Sequence, residues 1–98
     1  NTAGVALFRA NQIDEAFEML NRSLAEMPPG KKPFALYFLS MCHARQGNQI
    51  AARSHFDLAE ALVVAYDSQL SATSRTQLIQ FAEESRSLLA SATPDVSP

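Results

Sequence analysis

An all-α chain of stacked helical hairpins is the fold class this sequence predicts, and three observations predict it. A small–large–small pattern occurs twice, 36 residues apart: Ala16, Leu20 and Ser23 hold the register that Ala52, Phe56 and Ala59 hold later. Spacing of i, i+4, i+7 places each trio on one face of a helix. Asn11 and Gly47, both tolerant of left-handed backbone, precede the two trios at the same distance and mark tight helix–helix turns. Sixteen alanines, three glycines and no tryptophan favour close-packed helices over strands. Repetition near a period of 34 is the mark of stacked helical units, which present a surface and rarely carry chemistry. Binding is therefore the expected kind of work.

The elements follow in order. A first helix runs from about Thr2 to Ala10, with Ala3, Ala6, Leu7 and Ala10 on one stripe, and Asn11-Gln12 breaks it. A second spans roughly Ile13 to Met27, with Asp14 and Glu15 at the positive end of its dipole and Ala16, Phe17, Leu20 and Leu24 on its buried face. Pro28-Pro29-Gly30 stops it, because proline cannot continue a helix and glycine supplies the turn. A third helix, about Pro33 to Gln46, opens with proline at an allowed first-turn position and ends at Gly47. It is apolar on more than one side, through Phe34, Leu36, Tyr37, Phe38, Leu39, Met41 and Cys42, so it is buried or binds something. A fourth runs from about Gln49 to Tyr66. The fifth starts near Ser74, where Ser74-Arg75-Thr76-Gln77 has the form of a capping box, and carries a stripe of Leu78, Phe81, Ala82, Ser85, Leu88 and Leu89 to about Ala90. Residues 93–98 are expected to form a disordered tail. The organisation is thus a first hairpin at 1–30, truncated at its start, a second at 31–66, and a closing helix at 71–92.

Composition narrows the function. Ninety-eight residues allow one domain, and 47% hydrophobic residues give it a core. Eight basic against ten acidic residues leave a mild negative charge and no dense basic patch, which argues against nucleic acid as a partner. Lys31 and Lys32, the one pair of adjacent lysines, read as a solvated loop. A single cysteine, Cys42, excludes an intramolecular disulfide and a cysteine-based zinc site, and its apolar neighbours make it a buried thiol. No apolar run reaches membrane-spanning length and no signal peptide is visible, so no membrane partner is expected and a cytoplasmic location is favoured. The chain begins without methionine, already inside an apolar pattern at Val5, Ala6 and Phe8, as expected of a piece of a longer protein.

Candidate chemistry is sparse. Cys42 and His43 are helix neighbours about 100° apart and cannot form a nucleophile–base contact with each other. His43 reads as a core or interhelical hydrogen-bonding residue, and His55, beside Arg53 and Asp57, as surface. His55, Asp57 and Glu60 crowd one helix without the further convergent ligands a metal needs. There is no Gly-rich phosphate loop, G-x-S-x-G elbow or H-E-x-x-H. Asn21-Arg22-Ser23 has the form of a glycosylation sequon but lies mid-helix. No enzyme activity, cofactor or metal is expected.

These residues resemble the tetratricopeptide (TPR) repeat, W-x2-L-G-x2-Y followed by A-x3-F and a closing P. In the second unit Leu36, Leu39, Ser40 and His43 occupy the first group, followed by Ala52 and Phe56. Leucine, serine and histidine replace the usual tryptophan, glycine and tyrosine. In the first unit Gly4 and Leu7 match the end of the group, and Ala16, Leu20 and Pro28 complete it. The resemblance covers residues 1–64; the last helix looks like a cap with a polar outer face of Arg75, Gln80, Glu83, Glu84 and Arg86. The stretch from Leu36 to Leu62 with the last helix also looks like repeat segments of large bacterial multidomain proteins, some of which carry protein-kinase domains. The family implies a right-handed superhelix of antiparallel hairpins, about five helices here. Three stacked units are usually needed for stability, so either the fifth helix supplies the missing burial or the first hairpin packs on another copy.

In TPR folds the first helix of each hairpin lines a concave groove. By position this gives Val5, Phe8 and Arg9, then Phe34, Tyr37, Phe38, Met41 and Arg45. Arg9 and Arg45 are again 36 residues apart, which stacking would set on neighbouring rungs. Arginine forks pair with carboxylates and aromatics anchor, so the expected ligand is an acidic, partly apolar peptide. The plainer reading makes the arginines helix-end cations, favoured by about 0.3–1 kcal/mol, and buries Phe34, Tyr37 and Phe38 under a missing neighbour or the cap. A family variant grips a C-terminal carboxylate with lysines and asparagines, but Asn1, Val5, Phe34, Tyr37 and Phe38 stand at those places and match it poorly. The expected function is a protein–protein interaction module; the alternative is a capping or self-associating segment, a homodimer included, of a larger protein.

Overall fold

The computed structural model describes residues 2–92; Asn1 and the expected tail at 93–98 lie outside the described residues. Among the described residues the chain is all helical: α1 (Thr2–Arg9), α2 (Ile13–Glu26), α3 (Lys32–Arg45), α4 (Gln49–Ala65) and α5 (Ala72–Ala92), with 3-10 turns at Pro29–Lys31 and Asp67–Gln69. The two tight turns form as the sequence implies. Asn11 (φ 66°) and Gly47 (φ 81°) both adopt the left-handed conformation that ends a helix and reverses the chain. Asn48 then caps α4, its side chain accepting from the Ala51 amide at 3.3 Å. Lys32 is not a solvated loop residue: its ammonium donates to the Leu24 carbonyl at 2.8 Å, satisfying a carbonyl near the end of α2.

One boundary differs from expectation. α5 begins at Ala72, two residues before Ser74, and its cap is Ser71, whose hydroxyl accepts from the Ser74 amide at 3.1 Å. Leu70, just before that cap, is half-buried against the α4–α5 core.

α3 is the spine of the fold. Every residue from Ala35 to Ala44 is buried. It separates two apolar clusters. Leu36, Tyr37 and Ala44 pack with Ala52, Phe56 and Ala59 of α4 and with Leu78, Ala82 and Leu89 of α5. On its other side Ala35, Phe38, Leu39, Met41 and Cys42 pack with Phe8 of α1 and with Ala16 and Leu20 of α2. Phe81 and Leu88 of α5 touch both clusters. A helix covered on both sides loses the one-sided stripe of a surface helix, which is why α3 shows none. Two buried hydroxyls tie α5 down: Ser85 donates to Ser40 at 3.1 Å, and Ser40 donates to the Ala52 carbonyl at 2.7 Å. α5 packs more extensively on α3 than on α4.

Candidate functional site

The groove expected along α1 and α3 is closed by the chain itself. α5 lies in it, and its Phe81 meets Phe38 edge-on at 4.7 Å and Phe34 at 6.3 Å. Phe38 and Met41 are 0% exposed, Tyr37 1% and Phe8 5%, so four of the eight expected groove residues are buried and present at most an edge at a cleft. Val5 and Phe34 are half-buried against the core. The physical reason is the apolar second side of α3: covering it with α5 stabilises by roughly 25 cal/mol for each Å² removed from water.

What remains open is the far end of that groove, a shallow cleft of about 410 Å³ lined by Phe8, Arg9, Arg45, Glu84, Ser87 and Leu88. Here the structure does bring Arg9 and Arg45 together. Arg9 forks onto both carboxylate oxygens of Glu84, its Nη2 donating to Oε1 at 3.0 Å. That hydrogen bond, opposed by partial desolvation, holds the Arg9 proton more firmly than in a free guanidinium. Its cationic carbon also sits 5.3 Å from the Phe38 ring centroid. Arg45 is different. It donates to the neutral Asn11 amide oxygen and lies 5.8 Å from the Phe8 ring centroid, with no carboxylate against it among the described residues. One cation of the pair is neutralised and one is not.

Glu84 was expected on the polar outer face of the cap; it is half-buried and is the residue that captures Arg9. A second acidic residue also went unseen. Glu60 accepts the Tyr37 hydroxyl at 2.6 Å, and burial with that bond drives the phenol pKa far above its usual value. The signal was available: a tyrosine inside an apolar helix needs an acceptor for its hydroxyl.

Cys42 and His43, the pair weighed for catalysis, line neither the cleft over Phe8 nor the one beside α4. Cys42 is fully buried, and desolvation pushes its pKa to about 11, which keeps the thiol protonated and inert. His43 is buried, edge-on to Phe17 at 5.0 Å, and its Nδ1 has no hydrogen-bond partner among the described residues. Its pKa is lowered by desolvation first and by His55 second. His55 is not the plain surface residue expected: it is half-buried, with its ring 4.7 Å from that of His43 and its Nδ1 2.9 Å from the Ala51 carbonyl. Among the described residues no three His, Cys, Asp or Glu side chains converge as metal ligands. Nor is any helix among them long and apolar enough to cross a membrane. No family model, curated protein or solved structure matches this chain.

Proposed function

We propose that the chain is a TPR-like interaction module that takes an acidic, partly apolar peptide segment at the cleft over Phe8, with Arg45 as the selecting cation. Arg45 carries the reading: it stands at the mouth of the cleft, against the Phe8 ring, with no carboxylate among the described residues to neutralise it. A carboxylate from a partner would complete it, and a charge-assisted fork is worth more than a neutral hydrogen bond. The TPR-like superhelix is supported by the matched left-handed turns at Asn11 and Gly47 and by the matched burial of Ala16 with Ala52 and Leu20 with Phe56. A binding rather than catalytic role is supported by the buried, protonated Cys42.

Fluorescence anisotropy with two labelled peptides of equal length and apolar content, one bearing glutamates and one glutamines, tests it. The glutamate peptide should bind about tenfold tighter at low salt, and Arg45→Gln should remove that preference. Equal affinities for the two peptides sink the proposal.

One observation favours a second reading. Because α5 covers Tyr37 and Phe38, the segment is a closed helical cap, and its role would be to terminate a longer stack or pair with another copy. Sedimentation across a wide concentration range separates the readings: dissociation on dilution supports the second, a monomer throughout the first.

A further inference from the structure

Leaning toward α3, α5 leaves a second cleft of about 230 Å³ along its α4 side. The Tyr37 ring, Leu78 and Ala82 form the floor. Ile79, 54% exposed, stands at the rim opposite Val63. That volume falls below the roughly 300–1,000 Å³ of sites that enclose small molecules, and suits one or two side chains inserted by a partner.

Charge at the mouth says which side chains. Arg75 is engaged by the Asp67 carboxylate at 3.2 Å and the Asp67 carbonyl at 2.8 Å. Arg86 lies 5.3 Å from the Phe56 ring centroid and 3.9 Å from Glu60, which is itself held by the Tyr37 hydroxyl. Both cations thus have carboxylate partners within their own chain. Glu83, on the α5 wall one turn from Ile79, has no ion-pair partner among the described residues. The unneutralised charge of this cleft is negative, the reverse of the cleft over Phe8.

We infer that the α4–α5 cleft docks a basic amphipathic helix of a partner protein, an aliphatic side chain entering over Tyr37 and a lysine or arginine one turn away reaching Glu83. A helix suits the site because the apolar rim and Glu83 are separated by a helical turn, matching anchors at i and i+3 or i+4. This surface lies on the opposite flank of α5 from Arg45 and is independent of the acidic-peptide reading.

The test uses two labelled 14-residue helical peptides with the same leucine stripe, one flanked by lysines and one by glutamates. The lysine peptide should bind about tenfold tighter and shift the amide resonances of Val63, Ile79 and Ala82. Ile79→Asp should abolish binding and Glu83→Lys should reverse the preference; both positions are exposed, and retained helicity confirms the fold of each variant. Arg45→Gln should leave the lysine peptide unaffected, which keeps failure here separate from failure at Arg45. Equal affinities, no binding up to about 1 mM, or shifts at Phe8 and Arg45 instead would overturn the inference. So would self-association of the protein alone that Ile79→Asp dissolves, which would assign the cleft to a second copy.

Discussion

Where α1 meets α2, Gly4 lies buried against Leu20, close enough that an added Cβ would stand 2.7 Å from the Leu20 Cγ. Thirty-six residues on, where α3 meets α4, Ser40 fills the equivalent place and donates to the Ala52 carbonyl. Both crossings demand a small residue, and each hairpin meets the demand differently. The first hairpin omits the side chain. The second keeps a hydroxyl, which the backbone of α4 satisfies and which in turn accepts from Ser85 of α5. The contrast reflects position in the stack. α3 has neighbours on both sides and needs a group that bonds in two directions, whereas α2 shows Glu15, Glu18, Asn21 and Arg22 to solvent. Register repeats, and matched residues such as Ala16 and Ala52 are buried alike; what differs is how many neighbours each hairpin packs against.

Removing the aromatic at the centre of the stack breaks the comparison hardest. Phe38→Ala, at the junction of Phe8 and Phe81, should cost about 3–5 kcal/mol by urea denaturation. Val5→Ala, in the thinner first hairpin, should cost clearly less. Equal losses would mean that the two hairpins share one core of uniform density.

The two small-residue crossings come next. Gly4→Ala should destabilise by about 1–3 kcal/mol through overpacking, since Leu20 is 0% exposed and has nowhere to move. In a Leu20→Ala background the same change should turn favourable, because alanine is the better helix former. Ser40→Ala should cost about 1–3 kcal/mol by leaving the buried Ser85 hydroxyl without its acceptor, and Ser85→Ala added to it should recover most of the loss. A double variant as unstable as the single one would show that the hydroxyl pair is not what matters there.

The turns give a smaller effect. An added Cβ at Gly47 meets nothing within 4 Å, so Gly47→Ala isolates the left-handed backbone penalty of about 1–2 kcal/mol. Asn11→Gly should change stability by only a few tenths of a kcal/mol, asparagine being already tolerant of that conformation.

The pH dependence sharpens the contrast last. His43 occupies the register of Leu7 in the first hairpin, so only the second hairpin carries a buried titratable ring at this place. Its folded pKa lies below the ordinary 6.5. Below about pH 6.5 the unfolded chain therefore takes up a proton that the folded one does not, and stability falls as pH drops from there toward the folded pKa. His43→Phe should flatten the acid side of the stability–pH profile. An unchanged profile would shift that role to other groups.

Much of the helical layout was legible because its causes are local. Pro28-Pro29-Gly30 ends α2, Asn11 and Gly47 reverse the chain, and the stripe of Leu78, Ala82, Ser85 and Leu89 marks the inner side of α5. The candidate site was legible only in part. Arg9, Arg45 and Phe8 do meet at one cleft, as their 36-residue register implied. The low amphipathicity of α3 announced that something must cover its second face, but a peptide, a second copy or the chain's own last helix would leave the same mark on its sequence. Glu84 reads as solvent-facing and Glu60 only as a rejected metal ligand, because a carboxylate carries no sign in the sequence of the distant cation or phenol it will meet.

The sequence by itself determined which segments are helices, where they turn, and that their apolar faces repeat with one register. Those properties arise from side chains acting on backbone within a turn or two of themselves. Tertiary structure alone decided that α5 covers the second side of α3, that Arg9 but not Arg45 meets a carboxylate among the described residues, and that a cleft of opposite charge opens beside α4. Such outcomes depend on the summed packing of elements far apart in the chain, Arg9 and Glu84 being separated by 75 positions, and no local pattern records that sum.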